Sequence, residues 1–130
     1  MQSKRMTWTG RVISGVASFP FIFGTLATFF PAIPSPTHQE MIHMGMPPHI
    51  EAILACLTIL CLGAYWYPAT AILGAILFTG HMGGAILAHL RVGDPLVLQI
   101  VTPSLLWLGV WLRDSRLRAL IPLRKIAPAV

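Results

Sequence analysis

Four apolar runs, each close to the length of a bilayer crossing, decide what this chain can become. They extend roughly over residues 8–33, 49–67, 69–90 and 96–112. About 30 Å of hydrocarbon asks for about 20 helical residues. Within the runs the only Lys or Arg is Arg11, near the start of the first. The chain is 55% hydrophobic and 10% charged, where a soluble domain carries about 25% charged residues. A soluble fold of 130 residues cannot hide that much apolar surface. The runs therefore predict an all-α protein: an antiparallel four-helix transmembrane bundle, one domain over residues 1–130, with an outer loop at 34–48 and a basic tail at 113–130. The first run is too long for the apolar core of a signal peptide, and Phe29, Phe30 and Pro31 make a poor cleavage site.

Charge placement orients the bundle. Lys4, Arg5 and Arg11 precede or open the first run, and Arg113, Arg116, Arg118, Arg124 and Lys125 follow the fourth. The two loops on the other side hold only Arg91. The positive-inside bias then puts both termini in the cytoplasm. Trp8, Trp66, Trp107 and Trp111, with Tyr65 and Tyr67, fall near the same ends, where amphipathic rings favour the headgroup level. The net charge of +5 is thus a topology signal and a contact for anionic membrane lipid. It is not a nucleic-acid surface, because no folded polar domain presents it.

The first run carries Ser14, Ser18, Pro20, Gly24, Thr25 and Thr28. Pro20 should bend that helix, either as the wall of a small cavity or as a packing kink. The outer loop PSPTHQEMIHMGMPP has prolines at both ends, so only a turn and a half over Glu40–Gly45 is expected to be helical. Its Met41, Met44 and Met46, with His38, His43 and His49, could serve as soft metal ligands or simply cover the helix ends; no complete metal motif is present. Cys56 and Cys61 lie about 140° apart around a helix, so they do not bridge within it.

Titratable groups in hydrocarbon mark candidate sites. Glu51 stands in the first turn of the second run, favoured there by the helix dipole or paired with Arg91 or a loop histidine. In the third run, Gly80, Gly84 and Ala88 form a small-residue row that lets another helix approach. His81 and His89 lie on the neighbouring stripe, eight residues and about 12 Å apart. His81, near mid-membrane, needs a serine, threonine or carbonyl on a facing helix. His89, Arg91 and Asp94 gather at the outer end, where Gln99 and Thr102 of the fourth run face them. A histidine, a fixed cation and a carboxylate beside an apolar hollow suit a quinone head group. They equally suit a helix-ending salt-bridge network.

The run TAILGAILFTGHMGGAILAHLRVGDP, the preceding Tyr65–Pro68, the loop MIHMGMPPHI and the closing WLRDSRLRALIPLR resemble the DoxX-like membrane proteins. The resemblance covers nearly the whole chain and implies a four-helix bundle of the prokaryotic cytoplasmic (inner) membrane. The family takes its name from a small subunit of a thiosulfate:quinone oxidoreductase, and most members have no assigned reaction. The chain departs from the pattern at Thr58, where similar proteins carry an acid. It departs again at His81, where a tyrosine is usual, and at Gly24, Thr25 and Thr28, in place of an acid–lysine pair.

Two functions follow as expectations. In the first, a redox-associated subunit holds a quinone or other lipophilic molecule in an outward-facing polar pocket of His81, His89, Arg91, Asp94, Gln99, Thr102 and Glu51. Arg91 then stabilises an anionic oxygen and Asp94 orients Arg91. In the second, a non-catalytic scaffold docks a membrane protein partner, or a second copy, through the small-residue row. A small-solute channel fits less well, since no polar stripe runs through the centre.

Overall fold

A computed structural model describes residues 3–122. Helices α1 (Lys4–Phe29), α3 (Pro48–Trp66), α4 (Ala71–Val92) and α5 (Val97–Arg113) replace the four apolar runs, with boundaries within four residues of those expected. Between the first two lies a short helix, α2 (Pro36–His43), and after the last a single turn, α6 (Ser115–Arg118). No strand occurs among the described residues. Helices α1, α3 and α4 are long and apolar enough to cross a membrane, and α5 is a shorter apolar helix of 17 residues. Their large apolar side chains remain exposed, as at Val16 (67%), Leu60 (66%) and Leu87 (65%). In water such surfaces would associate; in hydrocarbon they are the correct exterior.

Helix α2 begins earlier than the prolines led us to expect. Ser35 is its N-cap, and the Ser35 hydroxyl accepts a hydrogen bond from the His38 amide at 3.1 Å. Pro36 then occupies the first helical position, where a missing N–H costs nothing and the fixed φ already suits a helix. Met41 within it and Met44 at its C-cap are both buried.

Packing is uneven along the bundle. Helix α1 lies chiefly against α5 and α3 against α4, with α4–α5 and α1–α3 contacts completing the ring. At the end carrying Lys4 and Arg113 the helices nearly touch. The backbone of Gly74 sits on that of Ala64 and Tyr65, and Gly10 faces Gly109, so any Cβ at these positions would collide. Tyr65, fully buried, donates from its hydroxyl to the Leu106 carbonyl at 2.7 Å. That hydroxyl is also 2.6 Å from the Ser14 hydroxyl, itself 2.7 Å from the Gly10 carbonyl. The Arg113 guanidinium lies 4.7 Å from the centre of the Tyr65 ring. Arg118 donates to the carbonyls of Trp111 and Leu112 at 3.2 and 3.0 Å, closing the end of α5. Phe78, Met82, Leu106 and Val110 carry the core inward from this base. Toward α2 the core gives way to a hollow.

Candidate functional site

The hollow has a volume of about 650 Å³, within the roughly 300–1,000 Å³ usual for sites that take small organic ligands. Pro20, Gly24 and Thr25 of α1 form one wall, so the proline lies on a cavity rather than in solid packing. Leu54, Ala55 and Thr58 of α3 form a second wall, and α5 contributes Leu98 and Gln99. Met41 and Met44 cover it from α2. The lining is mainly apolar, and its polar atoms are few and placed.

Helix α4 creates the space. Gly80 and Gly84 line the cavity, and a Cβ added at either would meet nothing within 4 Å. The small-residue row therefore does not draw another helix of this chain close. The close approach on α4 is at Gly74 instead, two turns nearer the base. Small side chains serve both purposes, and the row spends its missing volume on a hollow.

His81 lines the cavity and has the partner its depth demands: its Nε2 is 3.1 Å from the Thr58 hydroxyl oxygen on α3. That hydroxyl also donates to the Leu54 carbonyl at 2.9 Å. Thr58 on α3 and His81 on α4 are thus bonded to each other.

His89 lines the cavity one step nearer α2, and its Nδ1 is 3.0 Å from Oδ2 of Asp94. Gly93, left-handed at φ 78°, turns the chain back at the end of α4. The Asp94 amide then donates to the His89 carbonyl at 3.1 Å, and the Asp94 carboxylate swings over the imidazole. The other carboxylate oxygen, Oδ1, receives His43 Nε2 from α2 at 3.0 Å. Hydrogen bonds from His89 and then His43 hold the Asp94 carboxyl below its ordinary value. Asp94 does not orient Arg91. Arg91 stands about 200° around the helix from His89, is exposed, and makes no ion pair with a described residue.

Glu51 pairs with a loop histidine rather than with Arg91. Its carboxylate receives His38 Nδ1 at 2.8 Å, the Thr28 hydroxyl at 3.1 Å and the Ser35 hydroxyl at 3.3 Å. Both ends of α2 are therefore fastened by a histidine and a carboxylate, His38 to Glu51 and His43 to Asp94. The second of these pairs, between residues 51 positions apart, has no signal in the sequence.

Gln99 lines the cavity from the first turn of α5, is 8% exposed, and its amide oxygen has no hydrogen-bond partner among the described residues. Thr102, one turn on, is buried in the packing and does not border the cavity. Of the seven residues expected to form one pocket, His81, His89 and Gln99 line it. Asp94 and Glu51 hold neighbouring groups in place, and Arg91 and Thr102 lie outside it.

Long apolar helices with lipid-facing exteriors, surrounding a hollow edged by a few polar atoms, define an integral membrane protein. The model of the DoxX-like family matches residues 12–112, and the chain belongs to that family. No curated protein and no solved structure matches it.

Proposed function

We propose that this protein is a redox-associated subunit of the prokaryotic cytoplasmic membrane that holds a quinone or similar lipophilic molecule between α1, α3, α4 and α5. The helices run alternately up and down, with both termini cytoplasmic. In support, the end of α1 bonds to the start of α3 through Thr28 and Glu51, while the start of α1 meets the end of α5 at Gly10 and Gly109. Among the described residues, every Lys and Arg except Arg91 then gathers at one face of the bilayer, while Arg124 and Lys125 lie outside the described residues.

The observation that carries the ligand reading is Gln99. A buried amide oxygen without a partner costs about 1–3 kcal/mol, and its residue lines a mainly apolar cavity of about 650 Å³. A polar head group entering beside it supplies the partner that no described residue does. His81 and His89 are further bonding groups on the wall, Asp94 steadies His89, and Glu51 steadies the cover. Arg91 is left at the exposed end of α4, outside the hollow.

Gly84→Leu tests this directly, because a Cβ there meets nothing within 4 Å and the rest of the side chain would take up space in the cavity that Gly84 lines. Wild-type protein purified in mild detergent should yield a near-stoichiometric lipophilic molecule on solvent extraction. The variant should fold and yield none. Added short-chain quinone at 100 times its Kd should stabilise the wild type by about 2.7 kcal/mol. If nothing is retained and added quinone leaves thermal unfolding unchanged, the proposal is wrong. The exposed Gly83, with open space beside it, favours a second reading, in which a partner's helix lies along α4. A stoichiometric protein partner without a small molecule would support that reading instead.

A further inference from the structure

Two imidazoles stand on the cavity wall, and the bond each makes on one side decides what its other nitrogen offers. A neutral imidazole carries one N–H and one lone pair. At His81 the count begins with Thr58, whose hydroxyl has a single proton. Assigned to the shorter of the hydroxyl's two contacts, that proton goes to the Leu54 carbonyl at 2.9 Å. The contact of 3.1 Å between the Thr58 oxygen and His81 Nε2 then requires the histidine to be the donor. Nδ1 is left with its lone pair and has no hydrogen-bond partner among the described residues.

At His89 the carboxylate decides. An ionised carboxylate only accepts, so the 3.0 Å contact between Nδ1 and Asp94 Oδ2 places the proton on Nδ1. Nε2 is the acceptor, again without a described partner. Gln99, also on this cavity, carries an acceptor oxygen and two N–H donors in one amide and so favours neither a donating nor an accepting guest. The ionisable groups around the imidazoles do not alter the count. His43 is already bonded to Asp94, Arg91 is exposed in the last turn of α4, and Glu40, which borders the cavity from α2, is one more acceptor. The hydroxyls of Thr25 and Thr37 on the lining turn either way and discriminate nothing.

On the reading of this cavity as a ligand site, we infer that it prefers the reduced, hydroxyl-bearing form of a quinone-like head group over the dicarbonyl form, a ring O–H being donated to His89 Nε2 or His81 Nδ1. A carbonyl oxygen at either position would set lone pair against lone pair. A hydroxyl completes the bond that Thr58 or Asp94 has prepared.

Three matched ligands separate the outcomes: a short-chain benzoquinone, its hydroquinone, and the dimethyl ether of that hydroquinone. Binding to detergent-solubilised protein is measured without oxygen at pH 8, above the ordinary titration of imidazole. The hydroquinone should bind about tenfold more tightly than either of the others, the effect of one hydrogen bond. His81→Phe with His89→Phe should bring the three affinities together. Equal affinities in the wild type, or a tighter quinone, would overturn the preference while leaving the cavity a ligand site. Binding of none of the three would overturn both. The wild-type comparison decides the matter even where the double variant fails to fold.

Discussion

Replacing Gly74 and Gly84 by alanine, one at a time, asks the structure to predict opposite signs for the same chemical change on the same helix. At Gly74 the added Cβ falls on the backbone nitrogen and Cα of Tyr65 and 2.7 Å from the carbonyl carbon of Ala64. Carbon atoms sit comfortably at about 3.5–4.0 Å, so α3 and α4 must part by roughly 1 Å. No rotamer change relieves this, because every atom struck is backbone. The turn between the helices is also short, and Thr70 ties it down by donating to the Ala64 carbonyl at 2.8 Å. Overpacking of this kind costs about 1–3 kcal/mol, and the absence of a yielding side chain points to the upper part of that range. Against it stands a gain of about 0.5–1 kcal/mol for alanine over glycine within a helix. At Gly84 only the gain applies, since nothing lies within 4 Å. The two variants should therefore differ by about 2 kcal/mol, Gly74→Ala below the wild type and Gly84→Ala slightly above it. Reversible unfolding in mixed micelles, followed by circular dichroism, measures both. Equal shifts, or a larger loss at Gly84, would refute the division of α4 into a packed part and a hollow one.

Three further outcomes follow from contacts at the two ends. Tyr65→Phe should cost about 1 kcal/mol. In a double-mutant cycle with Ser14→Ala, the coupling should be about 0.6 and at most about 1.7 kcal/mol, the range found for such bonds in membranes; zero coupling in the same micelle assay would deny the shared bond. Glu51→Gln removes the charge that receives His38, Thr28 and Ser35, so α2 should become cleavable by a protease at concentrations that leave the wild type intact. Unchanged cleavage would show that the carboxylate does not hold the cover. Asp94 has its carboxyl lowered from an ordinary value of 3.8 by the hydrogen bonds of His89 and His43. A depressed carboxyl adds stability that is complete above its unfolded value and is lost as pH falls through the folded one. The stability difference between wild type and Asp94→Asn should shrink as the pH drops below about 4. A difference that keeps growing below that pH would reverse the assignment.

The sequence shows the spans clearly, because hydrocarbon thickness leaves little choice of length for an apolar run. It also shows that Glu51 and His81 need partners, since a polar group near hydrocarbon is costly when bare. For Glu51 it leaves the helix dipole, Arg91 and a loop histidine all open, and only the folded position of α2 singles out His38. Other features depend on shape, which composition does not encode. The Gly80–Gly84 row reads as a docking stripe because close packing and empty space ask for the same small residues. Arg91 and Asp94 look like a pair three residues apart, yet the left-handed turn at Gly93 sends the carboxylate back toward His89. His43 reaches Asp94 only because the whole bundle brings α2 over the end of α4. At Ser35–Pro36, the prolines suggest a break, but a proline at the first position of a helix begins one.

The hollow beside α4 opens a question of competition. In a bilayer the rival for that space is an acyl chain, present at very high concentration and as oily as any quinone tail. Displacing one hydrocarbon with another releases almost no free energy, just as lipid tails are as apolar as leucine to a packing helix. A tail therefore cannot make a guest welcome here, whatever its length. Selection falls to the handful of nitrogen and oxygen atoms on the wall, and one proton moved at His81 or His89 could change which guest is kept.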